Sequence, residues 1–272
     1  MRLLLIGCTG LVGRGLIPVL QAAGHQLTLV SRRVSPAAFP AEMAQGLDWI
    51  QADPALESSW AASTPLHDAL AASDGVVNLA GEPIAEQRWT AEHLETLENS
   101  RLGTTRSLVS ALSTMAKPPS VLVNASAVGY FGTSAEGRFE EHSPAGTDFL
   151  ARLCQQWEQA AAEKPAATRL VVLRIGIVLS SEGGALAKML PVFRAGFGGP
   201  IGSGQQWMSW IERGDLCRII QSSLESESWS GVINAVAPDP VTMAVFAGSL
   251  GRCLGRPSLL AVPGPMLQLL LG

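Results

Sequence analysis

Short apolar runs alternate along the chain with longer stretches in which apolar residues recur every three or four positions. The first run, Leu3 to Ile6, ends at Gly7, and Val12, Leu16, Val19, Leu20 and Ala23 then fall at helical spacing. Further short runs at Gln26 to Val30, around Leu47 to Gln51, at Val121 to Ala125 and at Arg169 to Arg174 read as strands, and Asp74 to Ala80 as a buried parallel one. Between them, Ala91 to Met115, closed by Lys117-Pro118-Pro119, and Asp148 to Glu163 carry the helical repeat. Strands alternating with helices predict a parallel sheet covered on both faces, an α/β fold. Pro18 lies inside the first helix and predicts a kink there.

The first strand-to-helix turn carries the chemistry. Gly7, Gly10 and Gly13 are spaced G-x-x-G-x-x-G, with Thr9, Leu11 and Val12 between them. A helix N-terminus presents unpaired N–H groups and a positive dipole end, so a pyrophosphate is the expected guest. Gly7 permits the sharp turn, Gly10 close approach to phosphate, and Gly13 packing of helix on sheet. The order makes the fold a Rossmann-like, doubly wound parallel sheet over residues 1–175. A small C-terminal substrate lobe over 176–272 is expected to use the Gly231 to Ala237 strand and a helix from Thr242 to Leu254. Glycines crowd residues 183–204 and predict a mobile segment over the cleft; an irregular surface loop is the plainer alternative.

The second strand speaks to the choice of dinucleotide. NAD sites usually carry Asp or Glu about 20 residues past the glycines for the ribose 2′-hydroxyl, whereas Arg there accommodates a 2′-phosphate. Here stand Ser31, Arg32 and Arg33, so NADP(H) is the expected cofactor; a solvated basic turn is the alternative.

Composition narrows the picture. Hydrophobic residues at 47% can build a sizeable core, and 15% charged residues with a net charge of −4 form no basic patch, so no nucleic-acid partner is expected. The apolar run after Arg2 is too short for a signal peptide, and no run approaches the roughly 18 residues of a membrane span. A cytoplasmic protein with no membrane partner is the reading. Cys8, Cys154, Cys217 and Cys253 lack C-x-x-C spacing and the four histidines are scattered, so no metal site is expected. Cys8 in the glycine turn is either oxidation-sensitive or simply a small residue in a crowded loop.

These residues resemble the extended short-chain dehydrogenase/reductase superfamily, within it the NAD-dependent epimerase/dehydratase-like "epimerase family" branch. The marks are Gly7 to Gly13 with Ser31-Arg32-Arg33, Asn78 to Glu82, Asn99 to Thr105, Ser126 to Tyr130, Trp157-Glu158, Arg174 to Leu179, and Gly198 to Asp215. The resemblance implies that Leu79, Ala80, Gly81 and Glu82 line the adenosine and pyrophosphate, that Arg101 comes near the cofactor, and that Val178 lies by the nicotinamide. Leu79 and Val178 also suit a core strand, and Arg101 also suits an ion pair with Glu98 or Glu95. Ser126 matches the superfamily's catalytic serine. Its Tyr-x-x-x-Lys pair is missing, because Phe149 and Leu153 occupy those places. Tyr130, the only tyrosine, is the one phenol at hand: either Ser126 orients a carbonyl and Tyr130 donates a proton, or Tyr130 merely packs against the cofactor.

An NADP(H)-dependent oxidoreductase or epimerase-like enzyme acting on a small carbonyl or sugar-nucleotide-like substrate is the leading expectation. The alternative is an NADPH-sensing regulator without turnover, similar to relatives described as cell-division inhibitors. The apolar end, Leu267 to Leu271, reads as a shortened lobe or a surface that a second copy could cover, as in a homodimer.

Overall fold

The computed structural model describes residues 1–32, 44–84 and 87–260. Six strands follow the predicted runs: β1 Arg2–Ile6, β2 Gln26–Ser31, β3 Leu47–Gln51, β4 Gly75–Asn78, β5 Val121–Ala127 and β6 Arg169–Ile175. Short strands β7 Ile177–Leu179, β8 Trp207–Met208 and β9 Trp210–Glu212 come next, then β10 Gly231–Ala235 and β11 Val241–Thr242. The main sheet is seven-stranded and parallel, in the order β10-β6-β5-β4-β1-β2-β3. Strand order reverses between β1 and β4, and in such sheets that switch point opens the ligand crevice.

The period-two geometry of a strand splits β1 between two cores. Leu3 and Leu5 join Leu16, Ile17 and Leu20 of helix α1 (Leu11–Ala22) on one face. Leu4 and Ile6 join Leu66 and Leu70 of α2 (Pro65–Ala72) on the other. The expected helix over 91–115 is divided into α3 (Ala91–Glu98), a π-turn at Asn99–Gly103, and α4 (Thr104–Ser113). Helix α5 (Phe149–Ala162) is capped by the Asp148 carboxylate, which accepts from the Ala151 N–H. Helix α1 runs on through Pro18, which lies with Arg14 on the solvent side, where water can take the carbonyl a proline leaves unbonded.

Two features depart from the division at residue 175. Strand β10 belongs to the main sheet, pairing in parallel with β6 instead of building the lobe. Helix α7 (Arg213–Glu225), which follows α6 (Gly184–Arg194), contributes Leu216, Cys217 and Ile220 to the α1 side of the core. Without them β6 would expose a bare hydrogen-bonding edge and an apolar face. The lobe proper is built by α6, β8, β11 and α8 (Met243–Leu254) around Phe193, Met208, Met243 and Ala247. Two of its glycines have packing roles: a Cβ on Gly198 would lie 2.4 Å from the Phe193 ring, and one on Gly199 2.0 Å from the Leu260 carbonyl oxygen.

The sheet's opposite end is tied by Asp74, whose carboxylate accepts from the Arg2 N–H at 2.7 Å. That hydrogen bond holds its pKa below the usual carboxylate value. The contribution is therefore full above the ordinary value and fades as pH falls through the lowered one. Asp74→Asn is expected to flatten the acid limb of stability against pH, measured by urea denaturation at stepped pH.

Candidate functional site

The three glycines of the turn do different things. Gly7 has φ +74°, and a Cβ on it would lie 2.4 Å from the Ala80 nitrogen, so the turn is pressed against the end of β4. A Cβ on Gly13 would lie 2.0 Å from the Cys8 carbonyl oxygen. A Cβ on Gly10 would meet nothing nearer than the Gly7 oxygen at 4.0 Å, so the space in front of Gly10 is open. Gly10 is also the N-cap of α1, with no side-chain cap and no acid in the first turn, which leaves amides for an anion. A cavity of about 230 Å³ adjoins it, with Thr9, Gly10 and Leu11 on one side and Glu182, Gly183 and Arg213 on the other. Glu182 takes two hydrogen bonds from Arg213, at 3.0 and 2.5 Å. Cys8 is fully buried, and burial pushes its thiol pKa far up, so it is an unreactive small residue in a crowded turn.

The sheet brings Ser31, Arg32, Leu79, Ala80, Gly81 and Glu82 to the same crevice. Ser31 is buried at the end of β2; the next side chain, Arg32, is 68% exposed and lies 3.8 Å from a Glu82 carboxylate oxygen. Arg33 lies outside the described residues. The Leu79 N–H donates to Ile6, extending the β1–β4 ladder, and the Ala80 N–H donates to the Asn78 side chain. Buried Asn78 donates in turn to Asn124 and Thr105, at 2.8 and 3.0 Å, so the crevice floor is a satisfied polar network.

Arg101 lies beneath that floor. It occupies the π-turn, 8% exposed, and donates to the Leu97 and Glu82 carbonyls at 3.1 and 2.9 Å. A Cβ on Gly81 would come within 3.1 Å of its guanidinium carbon. Neither Glu95 nor Glu98 pairs with it among the described ion pairs, and burial lowers its pKa. Its bond to Glu82 ties it to the backbone that lines the crevice, while its guanidinium also meets the Ser100 hydroxyl and lies 5.5 Å from the Trp157 ring centroid. Val178, in β7, packs against the α1–α7 core and pairs with Ile211.

Ser126 and Tyr130 share a second cluster with two residues for which sequence reasoning offered no role. Ser126 donates to Glu158 at 2.7 Å, and Arg174 donates to both Glu158 oxygens at 2.8 Å. The Arg174 guanidinium lies 3.3 Å from the Tyr130 ring centroid. Burial opposes the Arg174 charge, but the Glu158 hydrogen bonds and charge outweigh it and hold the proton more tightly than usual. Parallel register sets Ser126 beside Arg174 on neighbouring strands. The available signal was Arg174 inside an otherwise apolar strand run, since a buried charge requires a partner. Phe149 and Leu153 fall in an apolar cluster with Ala125 and Trp157.

Among the described residues, no group of three or more His, Cys, Asp or Glu could hold a metal ion, and no helix is long and apolar enough to cross a membrane. The model of the NAD dependent epimerase/dehydratase family matches residues 3–235. The chain belongs to that family. It is similar to the chloroplastic epimerase family protein SDR39U1 homolog of Arabidopsis thaliana, at 42% identity over 98% of this chain and 74% of the relative. The human epimerase family protein SDR39U1 is 39% identical over 100% of this chain and 87% of its own. A crystal structure of human SDR39U1 (isoform2) with NADPH superposes with a TM-score of 0.86 at 38% identity, covering all of this chain and 86% of that one.

Proposed function

We propose that this epimerase family protein binds NADP(H) and acts as an oxidoreductase or epimerase-like enzyme on a small carbonyl or sugar-nucleotide-like substrate. The observation that carries the cofactor half is the uncapped N-terminus of α1 behind an open Gly10, with Arg32 exposed at the end of β2. The human relative crystallised with NADPH supports the same choice. In this reading the α1 amides at Gly10 to Val12 hold the pyrophosphate, Arg32 the 2′-phosphate, and Leu79 to Glu82 the adenosine side. Val178 lies toward the nicotinamide, and Arg101 steadies the Gly81–Glu82 backbone. Bound NADPH would supply hydride.

For proton movement the reading relies on Ser126 and Tyr130. The Ser126 hydroxyl has a single proton, directed at Glu158, so it turns lone pairs toward a ligand and orients it by accepting. Tyr130 is then the donor of the pair. The apolar surroundings of half-buried Phe149 and buried Leu153 favour a second reading, an NADPH-sensing protein without turnover. A cytoplasmic location fits four free cysteines.

Titration of the pure chain with NADPH and NADH, followed by incubation of the NADPH complex with a panel of carbonyl compounds, tests both. Loss of nicotinamide absorbance with any carbonyl supports the enzyme; binding without hydride loss supports the sensor; no binding removes both. Arg32→Ala is expected to weaken NADPH by about tenfold or more, with NADH changed less than twofold. Equal losses would refute the assignment of Arg32.

A further inference from the structure

We propose that Glu82 is a specificity-determining residue that restrains the preference of the adenosine end for a 2′-phosphate over a 2′-hydroxyl. The inference rests on the NADP(H) reading above and concerns a carboxylate that arrives from β4, not from the end of β2 where such a group usually stands.

The Glu82 backbone is fixed from both sides. Its N–H donates to Ser100 at 3.0 Å, and its carbonyl accepts from Arg101 at 2.9 Å. Both partners belong to the π-turn at Asn99–Gly103, an irregularity of the kind often found at functional sites. The Glu82 side chain is 27% exposed against 68% for Arg32, so the carboxylate is the anchored member of the pair and the guanidinium the movable one.

Two consequences follow for a dinucleotide. A 2′-phosphate must draw Arg32 away from Glu82 and then sit near a fixed like charge. A 2′-hydroxyl can instead donate to that carboxylate while Arg32 stays in place. Exposed ion pairs contribute little, so the help Glu82 gives by orienting Arg32 is the smaller effect. Glu82 therefore penalises NADPH and favours NADH, and Arg32 provides the opposing preference.

The test is calorimetric titration of the full chain and of Glu82→Gln with NADPH and with NADH. Glutamine keeps the size and both backbone hydrogen bonds, so unchanged melting is expected. NADPH should bind about fivefold to tenfold more tightly and NADH a few-fold more weakly, widening their ratio about tenfold or more. Glu82→Asp, which draws the carboxylate back by one methylene, should shift the ratio the same way by less. A ratio changed less than twofold in Glu82→Gln, or one that narrows, overturns the proposal and leaves the cofactor reading intact. A wild-type chain that binds neither nucleotide overturns the cofactor reading, and this proposal with it.

Discussion

Gly10→Ala is expected to fold as the wild type does yet lose most of its nucleotide affinity, whereas Gly13→Ala should lose both fold stability and binding. The methyl group on Gly10 has no neighbour closer than 4.0 Å and the residue lacks a positive φ, so its stability cost should stay within about 1 kcal/mol. What it fills is the approach to the uncapped amides of α1, and NADPH affinity should fall about 10- to 100-fold, or about 1.4–2.7 kcal/mol. A methyl group on Gly13 has no room at all: Cys8 backbone atoms lie 2.0 to 2.3 Å from it, and they cannot yield without moving the turn. That change should cost about 4 kcal/mol or more and lower Tm by roughly 8–16 °C. Thermal melts and NADPH titrations on the same preparations separate the outcomes. A Gly10→Ala protein that binds NADPH at wild-type affinity would place the phosphates elsewhere.

Glu158→Gln should be among the most damaging near-isosteric changes in the chain. The Arg174 side chain is 3% exposed and the Glu158 side chain 12%, so removing one charge strands the other away from water. Breaking such a pair costs about 3–5 kcal/mol, while replacing both members with apolar residues is often close to neutral. Glu158→Leu with Arg174→Met should therefore recover most of the loss. Urea denaturation of the single and double variants measures it, and a loss under about 1 kcal/mol for Glu158→Gln would show that the pair supports little. Ser126 loses its acceptor partner in the double variant, so recovered stability with lost ligand binding would distinguish the pair's orienting role from its structural one.

How much of this was legible in the chain varied with the range of the interaction. Strands β1, β2 and β3 and helix α5 were readable to within a residue or so, because apolar period and caps act over a few positions. The helix over 91–115 was readable as helical, but not its π-turn, which becomes visible once Arg101 is seen buried beneath Gly81. The packing of the glycines at 198 and 199 was not readable, because composition records a missing side chain and not the neighbour that requires its absence. Glu158 and Arg174 could be quoted as motif residues, yet their pairing depends on the β5–β6 register and the docking of α5.

The sequence by itself determined the α/β class, the turn that exposes the α1 amides, and the Ser31-Arg32 ending that points to a 2′-phosphate, all of them consequences of local backbone geometry and side-chain type. Only the tertiary structure decided which separated residues meet. It placed β10 on the main sheet, brought Glu82 to Arg32, and directed the proton of Ser126 to Glu158. Such contacts arise from strand order and helix docking, which satisfy the whole core at once, and no local pattern encodes them.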